Sequence, residues 1–188
     1  DPYLYQLVSE IKDIETGEIL DRIVNPLGIR FFRFDPDSGF YLNGEHLKLI
    51  GVNRHQDFEG YGIAIPEQIN IKDIEMMKDM GINFLRTAHY PQDKKILELC
   101  DRYGIITSVE IPIVNRITEN EDFYNNCLNM QKEMIRQNFN HPSVVIWAYM
   151  NEVLLRTRYK KGTERYTEYA KNITALAERI EDLTRKED

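Results

Sequence analysis

The dipeptide Asn151-Glu152 closes an apolar run, Val144-Val145-Ile146-Trp147-Ala148-Tyr149. A strand covered on both faces reads as such a continuous hydrophobic stretch. A carboxylate where that strand runs out is costly to place unless chemistry uses it, and a parallel β/α barrel builds its active site at the C-terminal strand ends. Glu152 is therefore the first candidate for a catalytic acid. Three other predicted strands turn polar in the same way, ending in Asn53-Arg54-His55-Gln56-Asp57, Arg86-Thr87-Ala88-His89-Tyr90-Pro91 and Glu110-Ile111-Pro112. On one rim, these tips would line a pocket with imidazoles, guanidiniums, an amide and carboxylates. Taken singly, a strand-end histidine is more often structural and an Asn-Glu pair is often just a helix start. Four polar strand ends together carry the argument.

The elements that must position them fall into two regimes. Residues 1–45 read as all-β. Tyr3 to Ile11 alternates strand formers, and turns follow at Glu15-Thr16-Gly17-Glu18, Asn25-Pro26-Leu27-Gly28 and Asp35-Pro36-Asp37-Ser38-Gly39. Asn43-Gly44 marks a tight hairpin. Too few strands are present to bury a sandwich core alone, so a preceding portion is expected.

From residue 46 the rhythm becomes strand then helix. Expected strands are Leu47 to Asn53, Asn83 to Thr87, Ile105 to Glu110 and Val144 to Met150. Expected helices are Glu67 to Met80, Pro91 to Tyr103 with proline in its first turn, Glu121 to Phe139 and Thr163 to Leu183. Four successive β/α units imply a parallel sheet with right-handed crossovers, half of an eightfold barrel. The fold class expected is α/β: the first half of a (β/α)8 TIM barrel in residues 46–188, preceded by a partial all-β segment.

Composition narrows the function classes. The chain has 188 residues, 42% hydrophobic and 29% charged, with a formal net charge of −7. That balance argues against nucleic acid or an anionic membrane as partner, since both call for a basic surface. No apolar stretch approaches the roughly 20 residues of a membrane span. No leader marks a compartment, and the abrupt ends are those expected of a fragment. Cys100 and Cys127 have neither disulfide nor metal spacing, and Cys100 lies in a helical pattern as an inert thiol.

The residues also carry a resemblance. Gly51-Val52-Asn53-Arg54-His55-Gln56-Asp57, Arg86-Thr87-Ala88-His89-Tyr90-Pro91, Cys100-Asp101-Arg102-Tyr103-Gly104 and Asn140-His141-Pro142-Ser143-Val144-Val145-Ile146-Trp147, followed by Asn151-Glu152, resemble glycoside hydrolase family 2, and within it the β-galactosidases. The resemblance implies that residues 1–45 end an immunoglobulin-like domain. It implies Glu152 as general acid/base, Asn151 as the amide at the sugar 2-hydroxyl, and His55 and His89 as sugar contacts. Arg86 would hold the nucleophile carboxylate, Glu110 would sit on the pocket floor or be structural, and Asp57 would anchor a loop. His141 is expected to shape the approach to the fourth strand.

Glycosidic cleavage fits these residue types. Retaining enzymes need a proton donor and a nucleophilic carboxylate about 5–5.5 Å apart. The donor must keep its proton near neutral pH, which a dry setting beside Trp147 and Tyr149 and a like-charged partner would favour. Two departures from the family stand out. The family's nucleophile lies beyond the fourth helix, so this piece alone is expected to be inactive. Magnesium-using members place acidic and histidine ligands after the third strand, where this chain has Val114-Asn115-Arg116-Ile117-Thr118, so no cofactor or metal is expected.

Three readings stay open: a β-galactosidase, a β-glucuronidase or β-mannosidase of the same family, and a non-catalytic carbohydrate-binding barrel. Arg54 leans toward the first, because glucuronidases of the family usually carry lysine there. Intact Asn151, Glu152, Arg86, His55 and His89 speak against the last. The parent could be homo-oligomeric, and a half-barrel with open edges is expected to self-associate.

Overall fold

A computed structural model describes residues 2–188. Two antiparallel pieces come first. Strands β1 (Tyr5–Lys12) and β2 (Ile19–Leu27) form a hairpin in the register Val8↔Val24. Its turn is held by Asp13, whose carboxylate accepts the Glu15 and Thr16 N–H groups. Strands β3 (Phe32–Asp35), β4 (Gly39–Leu42) and β5 (Glu45–His46) form a second sheet. The expected Asn43-Gly44 turn joins β4 to β5, with both residues at positive φ (52° and 89°) as a two-residue hairpin of this twist requires.

The second half is a four-stranded parallel sheet in sequential order. Its strands are β6 (Gly51–Arg54), β7 (Phe84–Thr87), β8 (Ile106–Glu110) and β9 (Val144–Ala148). Between and after them run α1 (Glu67–Asp79), α2 (Lys94–Tyr103), α3 (Glu121–Asn138) and α4 (Glu164–Glu187). The β/α rhythm read from the sequence is present in full, with shifted boundaries. The first parallel strand is shorter than expected because Asn83 intervenes: its side chain accepts the Ile50 N–H and donates to the Lys48 carbonyl. Leu47 and Leu49 serve the floor instead, packing with Phe40, Ile106 and Val145 beneath the sheet. Helix α2 starts at Lys94 rather than Pro91, because Asp93 caps it by accepting the Lys95 N–H. Gly104 ends it in the left-handed region.

Register divides every strand into an inner and an outer column. Asn53, Arg86 and Ser108 lie side by side, and Ser108 pairs with Ile146. Their neighbours Arg54, Thr87, Val109 and Trp147 form the next row, on the opposite face. Strand β9 reaches this register through an irregularity near Val145 that lets both Val145 and Ile146 join the floor cluster. Outside the sheet, one core joins α3 and α4 through Cys127, Met134, Tyr169, Ile173, Leu176 and Ile180. A second, under α1 and α2, holds Ile74, Leu85, Ile96 and Cys100. Burial pushes the thiol of Cys100 upward and that of Cys127 up to about 11, so both are inert.

Candidate active site

Arg86 stands in the inner column of β7 and is the hub of the rim. Its Nη2 donates to Glu110 Oε2 at 2.9 Å and to Asn151 Oδ1 at 2.9 Å. Glu110, the last residue of β8, is buried and gives its other oxygen to His89 Nδ1 at 2.8 Å. Three strand ends are thus stitched together by one carboxylate and one guanidinium. The ion pair sits with Glu110 almost wholly covered and Arg86 29% exposed, so the charge is neutralised below and open to ligand above.

Chemistry fixes the donors in this cluster. An ionised carboxylate only accepts, so His89 Nδ1 must carry the hydrogen it gives to Glu110, and a neutral ring then presents Nε2 as an acceptor. The 3.1 Å approach of Arg86 Nη2 to that same Nδ1 is then a contact between two donors, not a hydrogen bond. Arginine only donates, so Asn151 meets it with Oδ1, and the Asn151 amide nitrogen is left for a ligand. His55, exposed on the loop after β6, lies edge to face with His89 at 5.0 Å between ring centroids.

Asn151 is held on three sides. Besides Arg86, its N–H donates to the Ile113 carbonyl and its own carbonyl accepts the Asn115 N–H, both at 2.9 Å. The next residue, Glu152, is exposed and has a left-handed backbone at φ 54°. The structure therefore gathers Arg86, His89, Glu110 and Asn151 by direct contacts, with His55 against His89 and Glu152 adjoining Asn151.

Other expectations are corrected by the parity of the strands. Trp147 and Tyr149 give Glu152 no dry setting, because both face the helices: Trp147 Nε1 donates to Asp188, and Tyr149 packs with the α3–α4 core near Glu181. Arg54 is outward and buried, bonded to Asp73, Asn70 and Gln92, so it touches no pocket group and cannot choose the sugar by contact. Asp57 anchors nothing among the described residues. Gln56 does so instead, accepting the Asp93 N–H and donating to the Ile63 carbonyl. His141 matches its expected place: its Nδ1 lies 2.6 Å from Asp101, which also accepts the Ser143 N–H at the start of β9.

The donor set after β8 does not suit a hard cation. Both oxygens of Glu110 are occupied by Arg86 and His89. Among the described residues, no three His, Cys, Asp or Glu groups are placed to share a metal ion.

Sequence reading missed two features. Tyr169, on α4, accepts the Ile117 N–H at 3.0 Å and donates to the Val153 carbonyl at 3.1 Å, locking the loop after β8 to the segment after Glu152. A tyrosine on the buried stripe of a predicted helix carries no sequence signal for this. Glu119 is the second: Arg165 holds its carboxyl below the usual range, and Asn172 and Tyr159 also donate to it.

A sequential parallel sheet flanked by helices, with a polar cluster at its C-terminal rim, defines a TIM-barrel enzyme domain. Comparison gives the particular family. The model described as "Glycosyl hydrolases family 2, TIM barrel domain" matches residues 36–186, and the chain belongs to this family of glycoside hydrolases. A β-glucuronidase of Bacteroides fragilis is 40% identical over 98% of the chain and 26% of its own length. A β-galactosidase of Thermoanaerobacter pseudethanolicus is 41% identical over 81% of the chain and 20% of its own length. Among solved structures, Bacteroides uniformis β-glucuronidase 2, covalently bound to cyclophellitol-6-carboxylate aziridine, superposes with a TM-score of 0.92 at 41% identity, over 98% of the chain and 22% of that protein. The chain spans between a fifth and about a quarter of the length of these curated relatives. Relatives of both names match, so the galactoside preference expected from the sequence is not established.

Proposed function

We propose that the full-length protein carrying this chain is a retaining exo-glycosidase that removes terminal β-glucuronosyl residues. The convergence of Arg86, His89, Glu110 and Asn151 beside Glu152 is the observation that carries the mechanistic class. The glycone follows from the relatives that align over 98% of the chain, which are named as a β-glucuronidase and a putative β-glucuronidase. Terminal β-galactosides are the second reading, favoured by the 41% identity to a β-galactosidase over 81% of the chain.

In this reading Glu152 protonates the glycosidic oxygen and later takes a proton from water. A carboxylate from outside residues 1–188 attacks the anomeric carbon, about 5–5.5 Å from the donor. Arg86 keeps that carboxylate ionised, while Glu110 below balances the guanidinium. The free amide nitrogen of Asn151 donates to the 2-hydroxyl, His89 Nε2 accepts from a second hydroxyl, and His55 flanks it. Residues 1–45 are read as the closing strands of an immunoglobulin-like domain, with β3–β5 also flooring the barrel.

The test uses the full-length protein. Glu152→Gln should cut turnover of glycosides with poor leaving groups by several orders of magnitude and spare activated aryl glycosides. An equal fall for both classes would remove Glu152 from the acid role. Assay on aryl glucuronide, galactoside and mannoside decides the glycone, and a galactoside preference would promote the second reading.

A further inference from the structure

The segment between Glu152 and α4 is unlike the rest of this acidic chain. From Val153 to Thr163 it carries Arg156, Arg158, Lys160 and Lys161 and no carboxylate, against a formal charge of −7 for the whole. It faces the loop after β8 across a cleft of about 460 Å³ lined by Arg116, Glu119, Arg158, Tyr159, Arg165 and Tyr169, among others. Within the cleft the charges are unequal. Glu119 is already neutralised by Arg165, with Asn172 and Tyr159 also bonded to it. Arg116 is exposed and has no ion-pair partner among the described residues, and Arg158 has only the Tyr159 hydroxyl and ring.

Arg116 is also held in place. On one side the Asn115 N–H donates to the Asn151 carbonyl, and on the other the Ile117 N–H donates to Tyr169, which donates to Val153. Both ties run to residues flanking Glu152, so the backbone that presents this guanidinium is fixed relative to the proton donor while its charged head stays free. Through those ties the loop bearing Arg116 sits against the segment that carries the proposed proton donor, which sets the cleft toward the leaving-group side of the substrate rather than the terminal sugar. Guanidinium groups recognise carboxylate and sulfate through paired N–H donors.

We propose that this cleft is a leaving-group subsite for an anionic saccharide, in which Arg116 and Arg158 bind a sulfate or carboxylate on the residue next to the scissile bond. The inference rests on the glycosidase reading above and adds the class of aglycone.

The experiment compares, in the full-length protein, two disaccharides with the preferred terminal sugar on N-acetylglucosamine, one 6-O-sulfated and one not, at low ionic strength. The leaving oxygens have matched basicity, so kcat/KM reads binding and orientation. We expect the sulfated substrate to be favoured roughly two- to fivefold, the range of a partly exposed charge contact, and the preference to shrink as salt is raised. The double variant Arg116→Gln/Arg158→Gln should lose the preference, while Lys72→Gln on the far α1 surface should keep it. A wild-type ratio near one, or a ratio the double variant retains, overturns the proposal. A carboxylated aglycone in place of the sulfated one shows which oxyanion is preferred, and either preference supports the subsite. An aryl glycoside separates the failures: no turnover on any aryl glycoside removes the glycosidase reading, whereas turnover without anion preference removes only the subsite.

Discussion

Tyr169→Phe removes one oxygen and little volume, so it isolates what the hydroxyl does. In the native chain that hydroxyl satisfies two buried backbone groups, the N–H of Ile117 and the carbonyl of Val153, whose residues are 6% and 8% exposed. Each group left unpaired costs about 1–3 kcal/mol. The lost hydroxyl itself lies on a tyrosine only 2% exposed, so water cannot replace it without entering the α3–α4 core. Summed, with some relaxation of the two loops, the expected loss is about 2–4 kcal/mol. Urea unfolding followed by far-UV circular dichroism should show a lower midpoint with an unchanged slope. The same change loosens the backbone after Glu152, so kcat/KM of the full-length protein on a poor leaving group should fall by about tenfold, as a small misplacement of a catalytic group does. A loss of stability under about 0.5 kcal/mol, with kcat/KM intact, would show that the two backbone groups find other partners and that the hydroxyl positions nothing.

Three further outcomes are expected. Glu119 has a lowered folded pKa because Arg165 and then Asn172 and Tyr159 favour its ionised form, so the stability it lends is present above the ordinary value of 4.5 and is lost as pH falls below it. Glu119→Gln should flatten that acid-side loss in thermal melts, and an unchanged profile would count against the pairing. Gly51→Ala should destabilise by roughly 1–3 kcal/mol, because a Cβ there would lie 2.6 Å from the Phe84 carbonyl oxygen, which the parallel pairing with β7 keeps from moving away; a neutral effect in urea melts would mean that β6 and β7 separate freely. The isolated chain should associate through the unpaired outer edges of β6 and β9, and a concentration-independent monomer in sedimentation would refute this.

The succession of strands and helices was legible because a buried parallel strand and an amphipathic helix leave different periods in sequence. So was the rim, because polar residues clustered where four apolar runs ended. Inner and outer faces were not legible. A strand buried on both faces has no alternation to read, so Trp147 looked like a dry wall beside Glu152 and Arg54 like a guanidinium lining the rim, although register turns both toward the helices. The irregularity at Val145 hides the parity further, since it puts two consecutive valine and isoleucine side chains on the same floor. Helix α2 began late for a different reason: both Pro91 and Asp93 are helix-start residues, and only Asp93 has its N–H satisfied by Gln56 while its carboxylate caps Lys95.

If Glu152 has the proposed acid role, its backbone should set function against stability at this rim. An L-residue in the left-handed region costs about 1–2 kcal/mol, and Glu152 adopts it at φ 54° while its neighbour Asn151 is fixed by three hydrogen bonds. Those bonds dictate the turn, and the glutamate accepts it. Glycine would remove the steric cost and add back about 0.5–1 kcal/mol of chain entropy, so Glu152→Gly should stabilise the chain by a net ~0.5–1 kcal/mol while abolishing hydrolysis of poor leaving groups by the full-length protein. A residue selected for packing would show the opposite pattern, with the variant less stable. Urea midpoints of the two forms decide between them, and a Glu152→Gly variant weaker than the parent by more than about 1 kcal/mol would mean that the carboxylate makes a structural contact rather than standing free for a proton transfer.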